Sequence, residues 1–269
     1  MEPIADYELV RSLGAGNHGE FFLARPPARL GSTDEYVAVK VLAGSTSEDT
    51  FRRATRELKA FARVQSPYLV PLLDAGQDGD RFFYATGYYP LGSLAAPARP
   101  LDRGETLSAV SSAARAAHAL HEAGIAHRSI KPGNILLTEA GAQLTDLGLA
   151  QVLQPGATVT GIGPVGSVEY LDPVILNGQP ASRATDIWSL GVTLHRALAG
   201  VGVYGELPDD DPLLAIRRVL SSEPAISESL SGAERAAVVA ALASDVADRP
   251  VTAEAFADQV DGLLAPSPA

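Results

Sequence analysis

His127-Arg128-Ser129-Ile130-Lys131-Pro132-Gly133-Asn134 gathers an imidazole, two cations, a hydroxyl and a carboxamide into eight residues. Two short apolar runs follow, Ile135-Leu136-Leu137 and Ala142-Gln143-Leu144, which read as strands and lead to Thr145-Asp146-Leu147-Gly148. Asp146 stands twelve residues after Asn134, and the two supply oxygen ligands of the kind Mg2+ prefers. Ser129 lies between the cations. Its hydroxyl can hydrogen-bond an alcohol, but with no pKa near neutrality it cannot take a proton from one as a carboxylate can. The stretch holds groups that position and neutralise charge, and the hydroxyl among them is not a general base.

Outward from this stretch the two halves of the chain differ. Beyond residue 100 the apolar residues recur at three- and four-residue steps. Leu107, Val110, Ala114 and Ala117 form one helical stripe, Ile187, Leu190, Leu194 and Leu198 another, and the alanine-rich run from Ala233 to Ala243 a third. Before residue 90 the runs are short and β-branched, as in Tyr36-Val37-Ala38-Val39-Lys40-Val41-Leu42, and Gly, Pro and Ser separate them, which predicts an antiparallel sheet. One amphipathic helix interrupts them within residues 50–64, with Phe51, Ala54, Leu58 and Phe61 on its apolar face. The expected architecture is α+β in two lobes within a single domain spanning 1–269. A small sheet lobe over 1–87 meets a hinge at 88–93, a larger helical lobe follows over 94–264, and residues 265–269 read as a tail or linker.

Composition excludes several function classes. With 46% hydrophobic and 20% charged residues, 269 residues suffice for substantial cores. A net charge of -11 opposes binding to nucleic acid or to an anionic membrane, both of which depend on neutralising phosphates. The absence of cysteine excludes disulfides and thiolate metal sites. No stretch reaches about eighteen uninterrupted apolar residues, and the first residues lack the basic and apolar regions of a signal peptide. The expectation is a cytoplasmic domain with no membrane insertion within the chain, and high Ala and Arg usage suggests a GC-rich bacterial source.

Three further features lie in the sheet lobe. Leu13-Gly14-Ala15-Gly16-Asn17-His18-Gly19 places Gly14, Gly16 and Gly19 between two predicted strands, where backbone amides can approach phosphates. With no helix directly after it, the motif does not read as a Rossmann turn. Ala38-Val39-Lys40 sets a lysine in an apolar strand. Glu57 borders the apolar stripe of the following helix and is the candidate partner of Lys40, with Glu48 and Asp49 as competitors.

In this order and at these distances the motifs resemble the eukaryotic-like serine/threonine protein kinase family, from about Tyr7 to Leu264. Thr185-Asp186-Ile187-Trp188-Ser189-Leu190-Gly191 is similar to that family's D-x-W-S-L-G helix. The resemblance implies that ATP and Mg2+ are the ligands. Gly14, Gly16 and Gly19 would cover the phosphates, Lys40 paired to Glu57 would reach them, and Asn134 and Asp146 would hold the metal. It further implies Thr86 as gatekeeper, Gly87-Tyr88-Tyr89 as hinge, Ala38 and Phe21 above an adenine and Leu136 beneath it. Lys131 would steady the γ-phosphate. Arg128 would receive a phosphorylated activation segment, with Thr158 or Thr160 as acceptor.

Three positions depart from the family. Ser129 replaces the catalytic aspartate, Val174 replaces the glutamate of A-P-E, and Phe21 stands where valine is usual. The missing glutamate would leave Arg249 to be satisfied by Asp172 or by solvent. The resemblance therefore implies a pseudokinase, a regulatory or scaffolding module with a protein partner that can hold ATP and Mg2+. The alternative is a slow serine/threonine kinase, possible because positioning and charge neutralisation carry most of phosphoryl transfer.

Overall fold

The structure is a computed structural model that describes residues 2–16, 19–42, 48–146, 165–208 and 211–264. Asn17, His18, Leu147, Gly148, Thr158, Thr160 and the 265–269 tail lie outside the described residues. The described residues fall into two compact units. One comprises 2–16, 19–42, 48–64 and 70–90, the other 65–69, 91–146, 165–208 and 211–264.

The first unit is built on an antiparallel sheet of β1 (Glu8–Gly16), β2 (Gly19–Arg25), β3 (Val37–Leu42), β4 (Leu72–Asp78) and β5 (Arg81–Gly87). Their spatial order is β1-β2-β3-β5-β4. Alternation along the strands gives the sheet two different faces. On one, Val37 and Val39 of β3 join Ala24, Phe83 and Ala85 in a buried core closed by Ile4 and Tyr7 from the N-terminal segment. The Tyr7 ring meets Phe83 edge-on at 5.6 Å, and its hydroxyl donates to Asp74 at 2.8 Å. The opposite face carries Ala38 and Lys40. The helix α1 (Glu48–Ala62) buries Ala54, Leu58 and Phe61, and Phe51 meets Phe82 of β5 edge-on at 5.5 Å.

The second unit is mostly helical. Its small sheet runs β7 (Ala96–Pro97), β6 (Gly92–Ser93), β8 (Ile135–Thr138), β9 (Gly141–Leu144). The segment 65–69 belongs here because the Leu144 amide donates to the Tyr68 carbonyl and Leu69 bridges Leu144. The helices are α2 (Arg103–Glu122), α3 (Pro173–Leu176), α4 (Arg183–Ala199), α5 (Pro212–Ser221), α6 (Gly232–Ala241) and α7 (Ala253–Gly262). Capping boxes start three of them, Asp102 with Glu105 on α2, Ser182 with Thr185 on α4 and Ser231 with Glu234 on α6. The central helix α2 packs against α4, α7 and β9, so it buries Ala109, Ala113 and Ala116 as well as its expected stripe. Gly200, in the left-handed region at φ 73°, ends α4.

The architecture is the α+β one expected, with an antiparallel sheet unit and a larger helical one. Among the described residues three helices, the short α3 together with α5 and α7, add to the three stripes visible in the helical half. Among the described residues, no helix is long and apolar enough to cross a membrane.

Candidate active site

The stretch from His127 to Asn134 is shaped by a carboxylate from another element. Asp186, in the first turn of α4, is 1% exposed at its side chain. Its Oδ2 accepts from the His127 amide at 2.7 Å and from His121 Nε2 at 2.8 Å, and its Oδ1 accepts from the Arg128 amide at 2.8 Å. Two consecutive N–H groups converging on one carboxylate hold the chain in a tight bend. Arg128 adopts φ 71°, a conformation that costs a non-glycine residue about 1 to 3 kcal/mol and persists only where its surroundings impose it. The first turn of a helix is also where a negative charge is stabilised by the helix dipole.

His127 is fully buried, and burial lowers its pKa, so the ring is neutral. Its Nε2 lies 3.1 Å from the Thr145 carbonyl, while its Nδ1 accepts from the Ser129 amide at 3.3 Å. The Nε2–H tautomer satisfies both contacts. The ring therefore ties the loop to the end of β9, one residue before Asp146.

Ser129 is partly buried and its hydroxyl is engaged by Asn134. The Asn134 Nδ2 donates to the Ser129 carbonyl at 2.6 Å and approaches the Ser129 Oγ at 3.0 Å. Since a carbonyl only accepts, the nitrogen must face Ser129, which leaves the Asn134 carboxamide oxygen as the atom for a cation. The Asn134 carbonyl accepts from the Thr145 amide at 2.9 Å, which sets Asp146 beside Asn134 at the same end of the β8–β9 hairpin. Asp146 is buried and has φ 61°. Among the described residues, no group of three or more His, Asp or Glu side chains could hold a metal. A two-oxygen pair fits Mg2+, which keeps several waters and demands few protein ligands. Lys131 donates from Nζ to the Ser167 hydroxyl at 3.0 Å. Leu136, half-buried on β8, pairs with Ser93 and Gln143.

In the sheet unit, the candidate nucleotide residues share the face opposite the core. Phe21 of β2 pairs with Lys40, and Lys40 with Tyr84 of β5. Ala38 pairs with Thr86 one step along. Lys40 is 3% exposed, with its Nζ 4.8 Å from the Phe21 ring centroid and 6.0 Å from that of Tyr84. Gly14 follows a bulge in β1 at φ 119°, and Gly16 pairs with Gly19 at the hairpin end. A Cβ on Gly19 would come within 2.3 Å of the Val41 carbonyl oxygen, so only glycine lets β2 approach β3 there. Glu57 is half-buried on α1 beside the buried Leu58, and its competitor Asp49 is exposed. In the segment after β5, the Tyr88 hydroxyl accepts from Arg11 at 3.5 Å, and burial raises the Tyr89 pKa.

Residues 7–260 match the family described as protein kinase domain. The chain belongs to that family. It is 36% identical over 257 residues to serine/threonine-protein kinase PknK of Mycobacterium tuberculosis, covering 93% of this chain and 23% of that protein. It is 31% identical over 287 residues to PknJ of the same species, covering 98% of this chain and 48% of that protein. The chain thus spans less than half the length of both relatives. A crystal structure of the M. tuberculosis PknI kinase domain matches with a TM-score of 0.71 at 26% identity, covering 97% of this chain and 96% of that one.

Within this protein kinase domain, Arg249 meets the first of the two alternatives foreseen for it. Its Nη1 pairs with Asp172 Oδ2, both side chains being 1% exposed, and also donates to the Ala184 carbonyl at 3.0 Å. Nε donates to the Ala243 carbonyl at 2.8 Å, and the guanidinium lies 5.0 Å above the Trp188 ring. Asp172 also caps α3, accepting from the Val174 amide at 3.1 Å. The carboxylate absent from position 174 is thus supplied two residues earlier. The structural role of Asp186 was not foreseen, although its segment was. A charged residue directly before the apolar Ile187 at the start of a buried stripe is the signal that would have flagged it.

Proposed function

We propose that this kinase domain is a pseudokinase: a regulatory or scaffolding module that binds ATP with Mg2+, works through a protein partner and transfers phosphate inefficiently. The observation that carries this reading is Ser129, held by Asn134 through a hydroxyl where phosphotransfer needs a carboxylate. Losing a general base costs roughly 10²- to 10⁴-fold in rate. Kinases turn over at about 1 to 100 per second, so on the order of 10⁻⁴ to 1 per second would remain.

The residues present suit the ligand. Lys40 brings a buried cation, Gly14, Gly16 and Gly19 a backbone that phosphates can approach, and Asn134 and Asp146 two oxygens for a divalent ion. Bound there, Mg2+ would neutralise phosphate charge. The chain's own part is to orient: Asn134 through Ser129, the loop through Asp186, and Lys131 through Ser167. A ligand-sensing role further requires that nucleotide favour one conformation and that the partner discriminate between conformations.

The Asp186-held loop favours a second reading, a slow serine/threonine kinase, because the backbone that would present a base is fully anchored. Calorimetric titration with ATP, with and without Mg2+, tests the shared premise. Magnesium-dependent binding supports both readings, and no binding at millimolar ATP rejects both. The parent's own rate of phosphorylation separates them, and Ser129→Asp tests position 129. A gain of about 10²-fold or more in phosphorylated protein by mass spectrometry marks a site missing only its base. No gain over a measurable parental rate refutes the role given to position 129.

A further inference from the structure

Phe21 departs from the family at a position that faces Lys40 directly across the β2–β3 pair. The ammonium lies 4.8 Å from the Phe21 ring centroid, within the range in which the negative face of an aromatic ring attracts a cation. Tyr84 flanks Lys40 from β5 at 6.0 Å. The lysine is 3% exposed, so the contact is desolvated, which is where such an attraction is strongest. Lys40 is engaged by other groups as well. A valine at position 21 would supply neither the π-face nor the bulk.

The geometry points to Phe21 as an internal competitor for Lys40: its ring occupies the ammonium that the polyphosphate of a nucleoside triphosphate would contact, and so sets nucleotide affinity. This inference rests on the nucleotide-binding reading of Lys40. Its consequence is selective. Ligands that gain from Lys40 through phosphate must displace the ring, whereas a nucleoside without phosphates gains nothing from doing so.

The test compares the parent chain with Phe21→Val and Phe21→Leu, using ATP, inorganic tripolyphosphate and adenosine as calorimetric probes. Acylation of Lys40 by an amine-reactive ester, followed by peptide mass spectrometry, is a readout that needs no nucleotide. Circular dichroism and thermal melting confirm that the variants fold. Phe21→Val is expected to tighten tripolyphosphate, and to tighten ATP relative to adenosine, about tenfold, equivalent to about 1.4 kcal/mol, and to speed Lys40 acylation. Phe21→Leu, which keeps bulk but has no π-face, should give most of the same gain. Equal tightening of adenosine and ATP would mean that the ring blocks the base rather than the phosphates, and would overturn the proposal. So would ATP affinity within twofold of the parent together with unchanged acylation. Faster acylation with no ATP or tripolyphosphate binding in any variant would refute the nucleotide-binding reading itself and the competition with it, while showing that Phe21 shields Lys40.

Discussion

Replacing Asp172 by alanine should destabilise the helical unit by about 4 to 6 kcal/mol. The larger part follows from burial. Both members of the Arg249–Asp172 pair are 1% exposed, and removing one partner of a buried pair costs about 3 to 5 kcal/mol, because the other charge is left without compensation. The two carbonyls that remain on Arg249, those of Ala184 and Ala243, satisfy N–H groups but carry no net charge. The rest comes from the lost cap on the Val174 amide, worth about 1 kcal/mol. At about 2 to 4 °C per kcal/mol for a unit of this size, Tm should fall by about 8 to 24 °C in thermal melts followed by circular dichroism. Two companions make the reasoning specific. Adding Arg249→Met to Asp172→Ala should recover stability, since the uncompensated charge goes with it. Adding Val174→Glu to Asp172→Ala should recover it too, by restoring the family's own carboxylate. A fall in Tm below about 3 °C for Asp172→Ala, or an effect of Val174→Glu that is the same with and without Asp172, would refute the assignment of the pair.

Asp186→Asn replaces one of two acceptor oxygens with a donor facing N–H groups, so it should cost about 2 to 4 kcal/mol in urea unfolding and weaken Mg2+-dependent ATP binding. A melt equal to the parent's would contradict the role given to this carboxylate. Glu234 pairs with Arg103, which lowers its pKa from 4.5 to about 2. A carboxyl depressed in the folded state contributes stability above its unfolded pKa and loses it as pH falls through the folded one. Glu234→Gln should therefore flatten the loss of stability between about pH 4.5 and pH 2, and an unchanged acid limb in pH-dependent melts would rule the pair out as its source.

Legibility in the sequence followed how local each interaction is. The strand containing Lys40 and the helix bearing Glu57 were readable because alternation and the 3.6-residue period are set by neighbours in the chain. The helix α5 was not, since Leu213, Leu214 and Leu220 are exposed and blur its apolar period. The helix α7 was also missed: Ala253, Phe256, Ala257 and Val260 form a stripe half made of alanine, buried because α2 lies against it. The stretch from His127 to Asn134 was recognised by residue type, but its bend depends on Asp186, fifty-eight positions after Arg128, and no local pattern specifies such a contact. The pairing of Asp172 with Arg249 was foreseen only as one of two possibilities, because choosing between a carboxylate and water requires knowing that the guanidinium is dry.

The bend at Arg128 bears on how much the shape of this loop owes to the side chain at position 129. Asp186 grips the amides of residues 127 and 128, and His127 takes that of residue 129, so the bend is held at main-chain groups, and the contact of the Ser129 hydroxyl with Asn134 is not among those anchors. The Ser129 side chain sits on a frame whose bend is fixed from outside it, and touches that frame through Asn134. A carboxylate introduced at position 129 would therefore be mounted on the same main-chain frame, with the Asn134 amide group at hand as a donor.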